Sequence, residues 1–212
     1  MMFASREDAG QKLGQYLKEK GASADLVLGL PRGGVIVAAQ VAHSLQVPLD
    51  VLVVRKIGHP WHREFAVGAM AERGVVVLDE QAIGRNPLIQ TELNEIIEEE
   101  SERLNAYQAR FRQEPLDLSG KTVLLVDDGL ATGSTTEAAV LSAKKQHAAK
   151  VIVASPVAST SAIERLKKVA DEVCVMWPDP EFEAVGRYYE AFSQTTDEEV
   201  IDLLRAAAGR GA

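Results

Sequence analysis

Six short runs of Val, Leu and Ile punctuate the chain, at Leu26–Leu30, Val51–Val54, Val75–Leu78, Val123–Val126, Val151–Ala154 and Val173–Met176. Each is near-continuously apolar rather than alternating, the pattern of a strand covered on both faces. Stretches of helical character at Gly34–Leu45, Ser134–His147 and Ser161–Ala170 separate most of them. Strands alternating with helices predict an α/β fold, a parallel sheet with helices on both faces. Ser5, Ser161 and Thr196 each stand three residues before an acid (Asp8, Glu164, Glu199), which is capping-box chemistry or, for the Asp, close to it. The longest helix is expected from about Leu88 to Arg112, with Leu93, Ile96, Ile97, Leu104, Tyr107 and Phe111 on one stripe. Glu92, Glu95, Glu98, Glu99, Glu100 and Glu102 crowd its front half, and Arg103, Arg110 and Arg112 its back. That order suits the helix dipole, so a solvated structural helix is expected rather than a functional acidic patch. Asp117–Lys121 reads as a turn, not a linker, and residues 1–212 as a single domain.

Composition narrows the partners. The chain has 212 residues, 46% hydrophobic and 25% charged, ordinary values for one soluble domain. Its 23 Lys plus Arg against 31 Asp plus Glu leave a formal charge of −8, so nucleic acid is not an expected partner unless the cations gather in one place. No apolar run approaches the roughly 20 residues of a membrane helix, and Met1–Asp8 lacks the basic and apolar regions of a signal peptide. A cytoplasmic location with no membrane partner is the expectation. Cys174 lies within an apolar run and reads as a buried core thiol, and His59 with His62 lacks a third ligand for zinc.

In an open parallel sheet, ligands bind beyond the carboxyl ends of the strands. Three such places carry unusual residues. The run Val123–Val126 leads into Asp127, Asp128, Gly129, Leu130, Ala131, Thr132, Gly133, Ser134 and Thr135 before a helix begins. Glycine and small hydroxyl residues at a helix N-terminus offer N–H and O–H donors to a phosphate, while the two acids call for hydroxyl donors or a metal-bound water. Together they suggest a phosphorylated sugar; a plain Gly/Thr turn with two solvated Asp residues is the alternative. A P-loop needs Lys after its second glycine, where this chain has Ser134. The second place is Leu30-Pro31-Arg32-Gly33-Gly34, where paired glycines admit an anion and Arg32 can fork onto its oxygens, or where a surface Arg simply follows a turn. The third is Arg55 and Lys56, followed by the loop residues His59 to Arg63, cations that could close over an anion.

The segment Val123 to Thr135 resembles the signature of type I phosphoribosyltransferases, and the resemblance covers most of the chain. Pro31 to Gly34 is similar to that family's pyrophosphate loop, and Arg55-Lys56-Ile57-Gly58 to its adenine-type branch. The whole layout, from Arg6–Gly10 to Phe182–Tyr189, looks like a group of bacterial phosphoribosyltransferase-domain proteins of unassigned acceptor. The resemblance implies transfer of a 5-phosphoribosyl group from phosphoribosyl pyrophosphate (PRPP) to a nitrogenous acceptor, a nucleobase being one candidate, with pyrophosphate released and Mg2+ as cofactor. Asp127 and Asp128 would hold the ribose hydroxyls and, through water or substrate, the metal. Ala131, Thr132, Gly133, Ser134 and Thr135 would cradle the 5′-phosphate, and Arg32, Gly33, Gly34, Arg55 and Lys56 would receive the pyrophosphate. With Asp127 and Asp128, Arg55 and Lys56 form the implied catalytic set.

Ala131 stands where the hypoxanthine-guanine enzymes carry an acid/base Asp, which counts against such an acceptor and leaves Glu64 as a candidate base. A hood is expected from the N-terminal segment, residues 57–74 and residues 177–212, with Trp177 or Phe182 against the acceptor, although Trp177, Phe182, Tyr188 and Tyr189 could equally anchor the C-terminal segment. The resemblance also implies a homodimer. A PRPP-binding regulator without catalysis is the alternative; one acting on RNA or DNA would need a basic surface that this acidic chain lacks.

Overall fold

A computed structural model describes residues 2–83, 87–112 and 115–209. Helix α1 (Arg6–Glu19) is followed by β1 (Leu26–Gly29), α2 (Gly33–Leu45) and β2 (Leu49–Val51). Next come β3 (Val54–His59), β4 (His62–Ala71), β5 (Val75–Leu78), α3 (Glu80–Ile83) and α4 (Pro87–Phe111). The chain continues as β6 (Thr122–Val126), α5 (Ser134–Lys145), β7 (Lys150–Ser159), α6 (Thr160–Leu166), β8 (Glu172–Asp179) and α7 (Asp197–Ala208).

Five strands form one sheet in the order β2-β1-β6-β7-β8, every neighbouring pair parallel. Successive side chains of a strand point to opposite faces, so an apolar run feeds two cores at once. Leu28, Val123, Leu125, Val151 and Val153 pack against Ala139, Val140 and Ala143 of α5 and Ala162 and Leu166 of α6. Val27, Leu124, Val126, Ile152 and Ala154 pack the other way, against Leu13 and Leu17 of α1 and Val37, Ala38 and Val41 of α2. Helix α1 crosses α2 at Gly10 and Gly14, where a methyl group would come within 2.7 Å of Val37 O and 2.5 Å of Ser44 Oγ. Cys174 is buried, and burial first, then Glu172, pushes its thiol up to about 11, as expected of a core cysteine.

Two of the six runs behave differently from the expectation. Val51–Val54 is divided: Val51 ends β2, and Val54 opens a second sheet of three antiparallel strands, β3-β4-β5. Val75–Leu78 lies in that second sheet as an edge strand with Val76 exposed, not in the parallel sheet. An apolar run states how much surface a strand buries but not which sheet it joins. The segment after His59 is a tight hairpin and not a long loop, so Arg63 lies on β4. Helix α6 is shorter than expected and is capped by Ser159, not Ser161, the Ser159 hydroxyl accepting from Ala162 N–H at 3.0 Å. The Ser5 cap and the Thr196–Glu199 capping box form as expected.

The three-stranded sheet packs its Ile57, Val67 and Met70 against the apolar stripe of α4, including Leu93, Ile96 and Leu104. It is joined to the main sheet at Glu72. One Glu72 oxygen accepts from Val53 N–H at 2.8 Å, the other pairs with Arg112 just past α4, and its carbonyl accepts from Ser142 Oγ of α5 at 2.7 Å. Arg112 also donates to Val51 O at 2.6 Å. Among the described residues, no helix is long and apolar enough to cross a membrane.

Candidate active site

Along the chain, β1 leads through α2 to β2 on one side of the sheet, whereas β6 leads through α5 to β7 on the other. The neighbours β1 and β6 therefore mark the point where strand order reverses, and their loops diverge to leave a crevice. Residues 30–34 and 127–135, two of the three sets that the sequence marks, follow these strands and line it.

The register Gly29↔Val126 sets these loops side by side, with Leu30 N–H donating to Val126 O at 3.0 Å. The Pro31–Arg32 peptide is cis. Gly34 lies so close to the second loop that a methyl group there would stand 2.8 Å from Asp127 Oδ1 and 3.0 Å from Asp127 Cα. A methyl on Gly33 would run into Asp128 Oδ2 and come within 2.6 Å of Arg6 Nε. Asp127 accepts from Asp128 N–H at 2.9 Å. Burial first, then the neighbouring Asp128 charge, pushes its carboxyl well above the usual carboxylate range, with Lys56 pulling the other way. Asp128 is held from two sides: its Oδ2 accepts from Arg6 Nε at 2.7 Å, and its carbonyl accepts from Tyr189 OH at 2.6 Å.

Beyond the acids, the loop is stitched to the extension of β7. Leu130 N–H donates to Val157 O at 3.0 Å, Ser159 N–H to Leu130 O at 2.9 Å, and Ser159 Oγ to Ala131 O at 2.5 Å. Ala131 and Thr132 are exposed. Gly133 takes the left-handed conformation (φ 75°) that turns the chain into α5, and no side chain caps that helix. The first-turn amides, with the Ser134 and Thr135 hydroxyls, make a donor-rich end toward which the helix dipole adds positive potential.

Beside the first loop, at Pro31 and Arg32, is a cavity of about 960 Å³ lined also by Arg55, Lys56, Arg63, Glu99, Glu100 and Tyr107 among others. The four cations read from two separate segments meet here. They are not alone. Arg55 pairs with Glu100 at 2.5 Å, Arg63 with Glu99 at 3.4 Å, Arg32 with Asp197 at 3.8 Å, and Arg103 with both glutamates. Glu100 is buried; burial raises its carboxyl, but hydrogen bonds from Arg55 and Arg103 outweigh that and hold it below its ordinary value. Glu92, Glu95, Glu98 and Glu102 are exposed, the solvated face expected of α4, whereas Glu99 and Glu100 depart from it, because packing the Leu93–Leu104 stripe under the small sheet turns these two toward the cations of β3 and β4.

Trp177 lies on β8, opposite Val157, with its side chain exposed; Phe182 stacks on Tyr188 with ring centres 5.3 Å apart. Phe182, Val185, Tyr188 and Tyr189 pack with Phe3 and Val157, so this segment is anchored on the core. Val185 is also close against Gly129, where a methyl would come within 2.6 Å of it. The side chain of Glu64 lies outside the described residues.

Sequence reasoning gave no site role to Arg6, Asp197 or the Glu99–Glu100 pair; it read Tyr189 as one of the aromatics that stack on the acceptor or anchor the C-terminal segment, but not its bond to the Asp128 carbonyl. For Arg6 a signal existed. The buried positions of α1 are Arg6, Ala9, Gly10, Leu13, Gly14 and Leu17, a stripe at helical spacing that begins with a charge.

Residues 4–188 match the family model described as "Phosphoribosyl transferase domain". The chain is 41% identical over 208 residues to "Putative phosphoribosyl transferase Rv0571c" of Mycobacterium tuberculosis, covering 97% of this chain and 47% of that protein. It spans about half the length of the curated relatives it matches at this level. The crystal structure of TT1426 from Thermus thermophilus superposes with a TM-score of 0.80 at 42% identity, covering 96% of this chain and 98% of that one. A ribose-phosphate pyrophosphokinase of Pyrococcus furiosus is 38% identical over 78 residues, 36% of this chain and 28% of that protein.

Proposed function

Because the chain belongs to the phosphoribosyl transferase domain family, we propose that it moves the 5-phosphoribosyl group of PRPP to a nitrogenous acceptor, releasing pyrophosphate. The observation that carries this reading is the pairing of two glycine-bearing anion loops at one switch point, with Asp127 and Asp128 of one loop against Gly34 and Gly33 of the other, and with Arg32 sharing a cavity with Arg55 and Lys56.

Each part of the donor then has a partner of suitable chemistry. The first-turn amides and hydroxyls of Ala131–Thr135 take the 5′-phosphate. Asp127 and Asp128 accept from the ribose hydroxyls and lie where positive charge develops on the sugar as the bond from the anomeric carbon to pyrophosphate breaks. The amides of Gly33 and Gly34, with Arg32, Arg55 and Lys56, receive the leaving group, whose negative charge grows as the bond opens. Val185 against Gly129 brings the C-terminal segment over the ribose loop, which of the two expected aromatics supports Phe182, packed in the same cluster as Val185, as the wall met by a planar acceptor.

The donor set fits Mg2+ in one way. Among the described residues no three His, Cys, Asp or Glu side chains gather to hold a metal. Asp128 is engaged by Arg6, so the acid pair would share an ion with substrate oxygens, directly or through water. Bound there, the ion would neutralise part of the diphosphate charge.

The test offers PRPP and Mg2+ with a panel of nucleobases and small amines while pyrophosphate is monitored. Acceptor-dependent release is the expected result. PRPP binding without release for any acceptor would favour a donor-sensing regulator, and no binding would overturn the reading.

An anion that reaches Arg55 must compete with Glu100. Removing the carboxylate in Glu100→Gln is therefore expected to tighten binding of inorganic pyrophosphate about two- to tenfold, the range of a partly screened ion pair. Titration calorimetry measures this, and unchanged or weaker binding would contradict the competition.

A further inference from the structure

Arg6 breaks two local rules. It is a cation in the first turn of a helix, where the dipole disfavours positive charge, and it is buried at 8% exposure, where arginine is seldom found without partners. Glu7 and Asp8, in the same turn, are the residues that suit that end. A side chain kept at such a position is held by what it touches.

What it touches is the donor loop. Nε donates to Asp128 Oδ2 at 2.7 Å, one terminal nitrogen donates to Ser193 O at 2.7 Å, and the guanidinium carbon sits 4.0 Å from the centre of the Phe192 ring. A methyl group on Gly33 would stand 2.6 Å from Nε and 3.0 Å from the other terminal nitrogen. The guanidinium plane is therefore wedged between the Asp128 carboxylate, the first glycine of the anion loop and the C-terminal segment. Asp128 is constrained from behind as well, since Tyr189 OH donates to its carbonyl.

Resting on the donor reading above, we propose that Arg6 is a positioning residue: its forked contact fixes the Asp128 carboxylate in the orientation that receives the ribose, and ties the C-terminal segment to the same point. An unrestrained Asp beside a second acid would turn away to lessen repulsion. Arg6 counters that turn and leaves the other Asp128 oxygen to the sugar. Lysine cannot replace it, because one ammonium has no fork to span both Asp128 and the Ser193 carbonyl while its plane lies on Phe192.

The test is a double-mutant cycle with two ligands, PRPP with Mg2+ and inorganic pyrophosphate with the metal chelated, read by calorimetry on variants whose folding is checked by circular dichroism. Arg6→Met is expected to weaken PRPP binding about ten- to thirtyfold, the scale of a charge-assisted hydrogen bond lost at a ligand's partner. Pyrophosphate without Mg2+ has neither ribose hydroxyls nor an ion through which to reach Asp128, and it should change less than about twofold in the same variant. In an Asp128→Asn background the same substitution should cost less than about twofold, because its target has already gone. Arg6→Lys should regain only part of the affinity, and it supplies the same comparisons if the Met variant fails to fold. Equal losses for PRPP and pyrophosphate would overturn positioning in favour of a general charge effect. Additive losses in the cycle, or an Arg6→Lys protein that binds PRPP like the wild type, would overturn it too. Failure of the wild type to bind PRPP would instead overturn the donor reading on which it rests.

Discussion

Replacing Asp127 and Asp128 together with Asn should remove PRPP binding almost entirely while leaving the protein folded. Hydrogen bonds to charged groups contribute about 1.5–3 kcal/mol each, so losing two charged acceptors should weaken binding by about 10²- to 10⁴-fold. Stability is expected to move much less. Asp127 is a carboxylate that burial and its neighbour already disfavour, so an amide there relieves the fold. At Asp128 the substitution weakens the pair with Arg6, an effect of the opposite sign. The melting temperature without ligand should stay within a few degrees of wild type, while the rise that PRPP and Mg2+ produce disappears. Persistence of that rise in the double variant would remove the acids from the donor site. A collapse of the unliganded melting temperature would make them structural.

The largest loss of stability is expected at a place with no role in binding. Arg112→Met removes the cation that faces Glu72 and leaves a buried carboxylate at the junction of the two sheets. Breaking one side of a buried pair costs about 3–5 kcal/mol, a large part of a domain's total stability. The pH dependence has a definite sign. Glu72 already lies above its ordinary value, because burial outweighs the pull of Arg112. Its folded form therefore binds a proton more readily than its unfolded form, and this group's contribution to stability falls as pH rises from the unfolded value of 4.5 through the folded value. Without Arg112 the folded value rises further, so the variant should lose stability more steeply than wild type on going from mildly acidic to neutral pH. Urea unfolding at a series of pH values measures this. A variant as stable as wild type at neutral pH, with the same pH slope, would show that the pair does not hold the sheets together.

These two sites differ in how far they could be read from the chain. The Asp127–Thr135 loop is a contiguous segment whose acids, glycines and hydroxyls carry their chemistry in their order, and the fold places them together at the end of β6. The same holds for Pro31–Gly34 at the start of α2. Glu72 and Arg112 stand 40 positions apart, and neither has neighbours that mark it. Their pairing exists only because β4 and α4 end at the same corner. Arg6 and Asp128, 122 positions apart, are a similar case, although the charge at the head of α1's apolar stripe was a visible anomaly.

What the sequence by itself determined was the set of local events: which runs become strands, where helices such as α1 and α7 start, though not α6, and which loops carry anion-binding chemistry. Those follow from forces acting within a few residues, namely side-chain alternation, capping and glycine's backbone freedom. Only the tertiary structure decided that Val75–Leu78 belongs to a second sheet, that Glu100 and Glu99 of α4 face Arg55 and Arg63, and that Asp128 rests on Arg6. A charge does not specify its partner along the chain. Which carboxylate meets which cation is set by how helices and sheets pack, and packing is decided by apolar contacts spread over the whole chain.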